Sequence, residues 1–294
     1  MLHLVSLLGV MAISFAAILV RLADVSSTTA TFYRCVYATP ILLLIWWVRR
    51  AADLRTRRSH VVGLLAGVVL FLDLSLWHEA VLRIGAGLGT VLANIQVVFV
   101  GLVGWLLHGE RPSRLAFVTT PCILVGVVLV SGLGRSDAHG HDPVGGVIFG
   151  VLAGAAYAGY LLTLRAANPD AGPPAGPLSE ATIGAVVATA LLGPVVDPGF
   201  AWRIPIEAHA WLLVLGLVAQ VCGWLLIGTS LPRLPALETS VMLLVQPIVT
   251  MLWGALLLGE GTSPVQLGGV ALVLAGVGLL TALGSVRPAR SGHP

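Results

Sequence analysis

Two apolar stretches of this chain align without a gap at a spacing of 150 residues: VLANIQVVFVGLVGWLLHGE at residues 91–110 and VMLLVQPIVTMLWGALLLGE at residues 241–260. The alignment extends over residues 91–130 and 241–280, where 13 of 40 positions are identical. Leucine, valine and glycine match by composition alone, so the polar matches carry the evidence for a duplication. The main polar matches are Gln96 with Gln246, Glu110 with Glu260, and Ser113 with Ser263.

The composition is that of an integral membrane protein. Of the 294 residues, 57% are hydrophobic and 10% are charged, whereas a soluble domain is about a quarter charged. A helix needs about 20 apolar residues to cross the hydrocarbon layer. Ten runs approach this length and leave no room for a soluble domain: 4–22, 30–48, 61–82, 86–107, 115–133, 144–164, 178–196, 210–231, 239–258 and 265–283.

The repeat spacing maps the fourth of these helices onto the ninth and the fifth onto the tenth. Each pair is offset by five helices. Because five is odd, the two halves must cross the membrane in opposite directions. We therefore predict an all-α integral membrane protein with ten transmembrane helices, arranged as two inverted five-helix repeats. Its predicted parts are a first repeat at 1–134, a linker at 135–143, a second repeat at 144–284 and a cytoplasmic tail at 285–294. Inverted repeats are typical of carriers with a substrate site near mid-bilayer, and a duplication kept only for packing is the alternative.

The distribution of arginine predicts the orientation. With the N-terminus in the cytoplasm, cytoplasmic segments hold 11 of the 16 arginines and outer segments hold 4, while Arg34 falls inside the second helix. Arg21 locally favours the reverse orientation, but the five arginines between residues 49 and 58 outweigh it. The prediction is a multi-pass protein of the plasma (bacterial inner) membrane with both termini cytoplasmic.

Ionisable residues within the predicted spans are the first candidates for a site, because charge in a membrane is costly unless it faces the interior of a bundle. Asp73 lies near the middle of helix three, His78 and Glu79 lie in its outer third, and Arg34 lies in the outer third of helix two. We predict that Arg34 reaches Asp73 or Glu79 and that this pair changes partner or protonation during transport. The alternatives are a snorkelling anchor for Arg34 and an interfacial location for His78 and Glu79.

Uncharged polar residues complete the predicted pathway. Gln96 and Gln246 lie near the centres of the repeat-related helices four and nine, so we expect them to face one another and to bind a small polar substrate. Asn94 and Gln220 are lesser candidates of the same kind. The alternative for all four is an ordinary hydrogen bond between helices. Pro247 frees a backbone carbonyl in helix nine and is the predicted hinge.

Other motifs do not indicate chemistry. His78-Glu79 begins like a zinc-protease helix, but Leu82 stands where the second histidine ligand belongs. The acidic and histidine residues between 137 and 142 are better explained as a solvated linker than as a metal site. Tyr157 and Tyr160 are expected to pack rather than to line a cavity. The small, dispersed net charge of +3 gives no reason to expect a nucleic-acid partner, and we predict no cofactor and no metal.

Several motifs are spread over the whole chain: Arg34 in helix two, Ala80 ahead of a small-residue run, Gly109-Glu110-Arg111 after helix four, and Gln246-Pro247 with Gly259-Glu260 in helix nine. Together with the pattern of five plus five helices, they resemble the EamA-type members of the drug/metabolite transporter superfamily. One departure is Val97, which stands where the family usually has a proline in helix four.

The resemblance implies export of amino acids, other metabolites or drugs, and it does not select among them. Combined with the central polar residues, it predicts a transporter that lies in the lipid bilayer and moves a small-molecule substrate by alternating access. An intramembrane enzyme with His78 and Glu79 as acid and base, and a scaffold without transport, are the alternatives. The sequence leaves open the coupling to protons and the formation of a homodimer.

Overall fold

The computed structural model describes residues 2–108, 114–130, 140–169, 172–230 and 236–284, and within them the regular structure is helical, without a strand. A 3₁₀ turn spans Arg50–Ala52, and a π-helical segment spans Gly216–Gly223. The α-helices are α1 (Leu2–Ser14), α2 (Ala16–Ala23), α3 (Ser27–Arg49), α4 (Arg57–Ile84), α5 (Ala86–Ala93), α6 (Gln96–His108), α7 (Arg114–Val130), α8 (Pro143–Ala167), α9 (Ala175–Val196), α10 (Ile206–Leu215), α11 (Trp224–Ser230), α12 (Ala236–Leu258) and α13 (Pro264–Gly284).

Seven stretches of the described chain are long and apolar enough to cross a membrane. They are His3–Ala23, Ser27–Ala52, Arg57–Ile84, Ala86–Val103, Pro143–Ala167, Ala175–Val196 and Ile206–Thr229. Three other apolar helical stretches are shorter within the described residues: Val118–Val130, Val245–Leu258 and Pro264–Leu279. The chain is thus an all-helical, multi-pass membrane protein, and the count of ten spans stays a prediction.

Helix α4 lies at the centre of the described packing. It packs along α8 and α9 and also contacts α3 and α5, while α3 packs against α9, and α7 packs against α13. Glycine makes the contact between α4 and α9 possible. A Cβ atom at Gly184 would overlap the carbonyl oxygen of Leu64, and one at Gly67 would overlap the backbone of Ala181 and Ala185. Such small residues allow membrane helices to approach to backbone contact.

Three of the spanning stretches are interrupted near their middle. Phe15 separates α1 from α2, Asn94 and Ile95 separate α5 from α6, and the π-helical segment interrupts the stretch that begins with α10. At the first interruption, a backbone group bonds to another helix: the hydroxyl of Thr250 in α12 donates to the carbonyl of Ser14 at 3.0 Å. Irregular backbone at membrane depth is tolerated where protein or a cavity satisfies it.

The two repeat-related helices differ in where they are interrupted. At the end of α5, the amides of Asn94 and Ile95 bond the carbonyls three residues before them, which tightens the last turn. Val97, where the family usually has proline, follows directly after this break. By contrast, α12 runs from Ala236 to Leu258 through Pro247 as one helix. The described break therefore lies in the half without the proline, and a hinge at Pro247 stays a prediction.

Candidate functional site

A cavity lies where the three interrupted stretches meet α3, α4, α8 and α12. Together with its opening it encloses about 500 Å³ of empty space. Its polar lining comes from Arg34, Asp73, Thr90, Asn94 and Gln246. Its aromatic lining comes from Trp77, Tyr157 and Trp224.

Asp73 and Arg34 both line this cavity. Asp73 lies midway along α4 and is 7% exposed, and no described residue forms a hydrogen bond or ion pair with its carboxylate. Arg34, on α3, is 2% exposed. Its Nη1 atom is buried without a hydrogen-bond partner among the described residues. The carboxyl group of Asp73 and the guanidinium of Arg34 therefore face one cavity without lying within ion-pair distance of each other.

Gln220 binds the guanidinium of Arg34 and is itself bonded to Thr182. The Nε of Arg34 donates to Oε1 of Gln220 at 3.0 Å, and Nε2 of Gln220 donates to the hydroxyl of Thr182 at 3.4 Å. Both residues are fully buried. Gln220 lies in the π-helical segment, and π-bulges occur frequently at functional sites.

Aromatic residues form the apolar wall of the cavity. Trp77 lies one turn beyond Asp73 on α4, and its ring centre is 6.0 Å from the guanidinium carbon of Arg34, which is within the range of a cation–π contact. Tyr157 packs edge-on against Trp224 at 6.2 Å. The expectation that Tyr157 only packs is therefore wrong, because it also lines the cavity. Tyr160 is fully buried and packs against Trp224 at 5.5 Å.

His78 and Glu79 lie outside the cavity lining. His78 is fully buried, and its Nδ1 lies 3.0 Å from the hydroxyl of Thr31 and 3.1 Å from the carbonyl of Ser27, so it ties α4 to the first turn of α3. Glu79 forms an ion pair with Arg83 at 2.7 Å, one turn further along α4. Of the two partners predicted for Arg34, Glu79 therefore pairs with the nearer Arg83 instead, and Asp73 faces the same cavity without an ion pair. A change of partner during transport stays a prediction.

Of the asparagine and glutamine residues predicted on helices four and nine, two line the cavity and one does not. Asn94 and Gln246 line the cavity from opposite repeat-related helices, and Nδ2 of Asn94 donates to the carbonyl of Thr90 at 2.9 Å. Gln96 is partly buried at the start of α6 and does not line the cavity. The break at Asn94 and Ile95 ends the regular helix before Gln96. The residue that matches Gln246 in the cavity is therefore Asn94, and the expected facing pair of glutamines is wrong.

Thr182 and Trp77 are residues of the cavity region that the sequence did not single out. A signal for Thr182 exists: Ser179, Thr182 and Thr189 lie three and seven residues apart, on one buried face of α9. Trp77 gave no such signal, because a tryptophan in an apolar helix is equally compatible with packing or with contact to lipid.

Acidic residues beyond the spans serve as caps and ion-pair partners. The carboxylate of Asp142 accepts from the amide of Gly145 at the start of α8 and pairs with Arg83 at 2.5 Å, and these bonds lower the pKa of Asp142. No group of three or more histidine, cysteine or carboxylate side chains converges on a metal site within the described residues. Two members of the 137–142 cluster, Asp137 and His139, lie outside the described residues.

Comparison with known proteins gives the family. The model of the EamA-like transporter family matches residues 1–132 and 144–282, which is nearly the whole chain. The chain belongs to the EamA-like transporter family. The resemblance stated from the motifs is confirmed. As a member of the EamA-like family, the chain is a membrane transporter homologue, and the family implies a small-molecule substrate and a location in the lipid bilayer.

Bacterial relatives and a solved structure resemble this EamA-like chain over most of its length. It is 27% identical over 264 residues to the uncharacterized transporter YwfM of Bacillus subtilis (strain 168), covering 89% of this chain and 87% of the relative. It is 28% identical over 221 residues to the uncharacterized protein PA1977 of Pseudomonas aeruginosa, covering 72% and 73%. A solved protein structure overlays 96% of both chains with a TM-score of 0.61 and 17% identity, which shows a shared fold.

Proposed function

We propose that this protein is a carrier that exports a small metabolite, amino acid or drug-like compound across the bacterial inner membrane by alternating access. The observation that carries the proposal is the central cavity, which three interrupted stretches and α12 enclose and which has two unpaired opposite charges in its wall. Interrupted helices around a site at membrane depth are typical of secondary transporters.

The proposed architecture is ten membrane helices in two inverted halves, 1–134 and 144–284, joined by the 135–143 linker. Three observations support it: the gapless repeat, the two stretches that the family model matches, and the packing of α3 against α9 and α7 against α13. Both of these contacts join helices that the repeat makes equivalent. The arginine distribution supports cytoplasmic termini, with the 285–294 tail on that side.

In the proposed mechanism, substrate binding satisfies groups that the empty cavity leaves without partners. Asp73 accepts a proton or a hydrogen bond from a donor group of the substrate. The Nη1 atom of Arg34, which has no partner among the described residues, donates a hydrogen bond to an acceptor group of the substrate. Asn94 and Gln246 contribute further hydrogen bonds from the two halves. Because buried polar groups are costly when unpaired, binding in mid-membrane lowers the cost of passing between the two open states.

The test combines a ligand screen with a flux measurement. A thermal-stabilisation screen of amino acids, amines and drugs on the purified chain identifies a ligand, and proteoliposomes then report its saturable flux. We expect Asp73→Asn to lower the flux about tenfold or more, because a charge-assisted interaction is lost. The control is Asp24→Asn, since Asp24 is an exposed carboxylate beyond α2 in a left-handed conformation that asparagine tolerates.

The outcomes separate the alternatives. Saturable flux of an unaltered compound supports a carrier, whereas a new chemical product would indicate an enzyme. The absence of both binding and flux across the screen would indicate a scaffold. Normal flux in Asp73→Asn, in protein that remains folded in the membrane, would remove Asp73 from the mechanism.

A further inference from the structure

A second cavity lies at the end of α3 that the proposed orientation places in the cytoplasm. It encloses about 530 Å³ together with its opening. Ile45 and Arg49 of α3 form one side, Pro173, Pro174 and Ala175 form the second, and Leu225, Leu226 and Thr229 of α11 form the third. We call this cavity the α3–α11 groove.

The α3–α11 groove is separate from the central cavity. A hydrophobic cluster of Ala38, Leu42, Leu178 and Val221 is buried between α3, α9 and the π-helical segment. Ile45 and Leu225 pack against this cluster from the groove, while the neighbouring Trp224 packs against it and lines the central cavity. The groove and the central cavity therefore share no lining residue in this structure.

The α3–α11 groove has two polar side chains, and only one of them has a hydrogen-bond partner among the described residues. The hydroxyl of Thr229 is already used, because it donates to the carbonyls of Leu225 at 2.8 Å and Leu226 at 3.1 Å. Arg49 is exposed at the mouth and has no hydrogen bond or ion pair with a described residue. The groove thus combines apolar walls with one unmatched positive charge at its rim.

Neighbouring residues place this rim at the membrane surface. Arg50 stacks over the ring of Trp47 at 4.9 Å, and Trp47 is exposed. Tryptophan is enriched at the boundary between lipid and water, and arginine clusters there attract the anionic lipids of the cytoplasmic leaflet. Arg57 and Arg58 add further positive charge at the start of α4.

We propose that the α3–α11 groove binds one anionic phospholipid, with an acyl chain along the apolar walls and the headgroup phosphate paired with Arg49. The charge of the phosphate complements the unmatched guanidinium, which can bind a phosphate through two parallel hydrogen bonds. The walls offer an acyl chain contact on three sides without a polar group that lacks a partner. The assignment to the cytoplasmic leaflet rests on the proposed orientation, whereas the binding itself does not.

Native mass spectrometry of the full chain tests this site. The protein is equilibrated with equal amounts of phosphatidylglycerol and phosphatidylcholine of identical acyl chains, and the lipids that stay bound after release from the micelle are counted. We expect the first retained lipid to favour phosphatidylglycerol about fivefold, the effect of one arginine near the surface. Arg49→Gln should abolish this preference. Arg203→Gln is the matched control, because Arg203 is also exposed and without a hydrogen bond or ion pair to a described residue.

A second variant tests the groove rather than the charge. Thr229→Phe fills the space between the walls and leaves Arg49 in place, so we expect one tightly held lipid fewer per protein. Retention of the same phosphatidylglycerol preference by both Arg49→Gln and Thr229→Phe would overturn the proposal. The readout is a mass and not a flux, so a protein without transport activity would still report on the groove.

Discussion

At the scale of single residues, the central question is how two buried ionisable side chains persist without pairing with each other. An ionised group in a low-dielectric interior is strongly destabilised unless its hydrogen-bonding groups find partners. Arg34 has one such partner in Gln220 and an aromatic neighbour in Trp77. Asp73 has no hydrogen bond or ion pair with a described residue, and its side chain lines the cavity. This arrangement supports the proposal that Asp73 and Arg34 bind a ligand or a proton rather than stabilise the fold.

The bond between Arg34 and Gln220 is testable by removing the amide. Gln220→Leu keeps the volume of the side chain and leaves the Nε of Arg34 without its acceptor. We expect the free energy of unfolding to fall by about 1–2 kcal/mol, measured in detergent, and the substrate KM to rise because the guanidinium is no longer held in place. Thr182→Val is the graded control and should cost less, because its bond to Gln220 is longer. Equal KM values in all three proteins would contradict a positioning role.

The sequence predicted which polar residues line the cavity better than it predicted which residues bind each other. Asp73, Arg34 and Gln246 were identified because polar groups in an apolar helix are costly and therefore face inward. Partners depend on the rotation of each helix about its axis, which the sequence does not specify within a bundle. Glu79, one of the two predicted partners of Arg34, consequently pairs with Arg83 instead, and Asn94 rather than Gln96 lines the cavity because the helix breaks before Gln96.

At the scale of helices, close packing of α4 against α9 positions Asp73 relative to Thr182. The approach depends on Gly67 and Gly184, at which any Cβ would collide with backbone of the opposite helix. Backbone cannot move aside as a flexible side chain does, so the whole helix must shift. The regular apolar runs made the existence of these helices predictable, whereas the interruptions at Phe15 and at Asn94 follow no proline and gave no sequence signal.

The glycine contact predicts opposite effects of one substitution at two sites. Gly184→Ala should lower the free energy of unfolding by about 1–3 kcal/mol, because it overpacks the α4–α9 contact. Gly101→Ala in α6 is the matched control, since a Cβ there has no heavy atom within 4 Å. It should be neutral or stabilising by up to about 1 kcal/mol through helix propensity. Denaturation of both variants in mixed detergent measures the difference, and a Gly184→Ala protein as stable as the parent would refute the close contact.

At the scale of the whole molecule, carboxylates of the second half bind the first half at both ends of the bundle. At the proposed outer end, Glu260 accepts from the backbone amide of Ala86 at 2.9 Å. At the proposed cytoplasmic end, Glu180 accepts two bonds from Arg55, at 2.7 and 2.8 Å, and Arg55 also binds Asp53. Opening of either end by separation of the halves requires the bonds at that end to break.

Asp53, in the network at the proposed cytoplasmic end, is ionised at neutral pH. Hydrogen bonds from the guanidinium of Arg55, together with one from the indole of Trp46, hold the pKa of Asp53 well below its ordinary value, although burial opposes this. A carboxylate with a lowered pKa in the folded state stabilises the protein fully above its unfolded pKa, and this contribution is lost as the pH falls through the folded value. Comparisons at pH 7 therefore see the complete network.

Glu180→Gln should weaken this network far more than an equivalent change at a surface pair. The side chain of Arg55 is 6% exposed and that of Glu180 is 14% exposed, so the loss of one charge leaves a largely buried guanidinium with fewer partners. We expect the free energy of unfolding at pH 7 to fall by about 2–3 kcal/mol. Glu79→Gln is the matched control: its pair with Arg83 is 26–29% exposed and should contribute less than about 1 kcal/mol.

Because the Glu180 bonds join the two halves, Glu180→Gln should also make cysteines introduced into the central cavity react faster with reagents from the proposed cytoplasmic side. Glu79→Gln should leave that rate unchanged. Equal losses of stability with unchanged cysteine reactivity would show that the network does not hold the halves together.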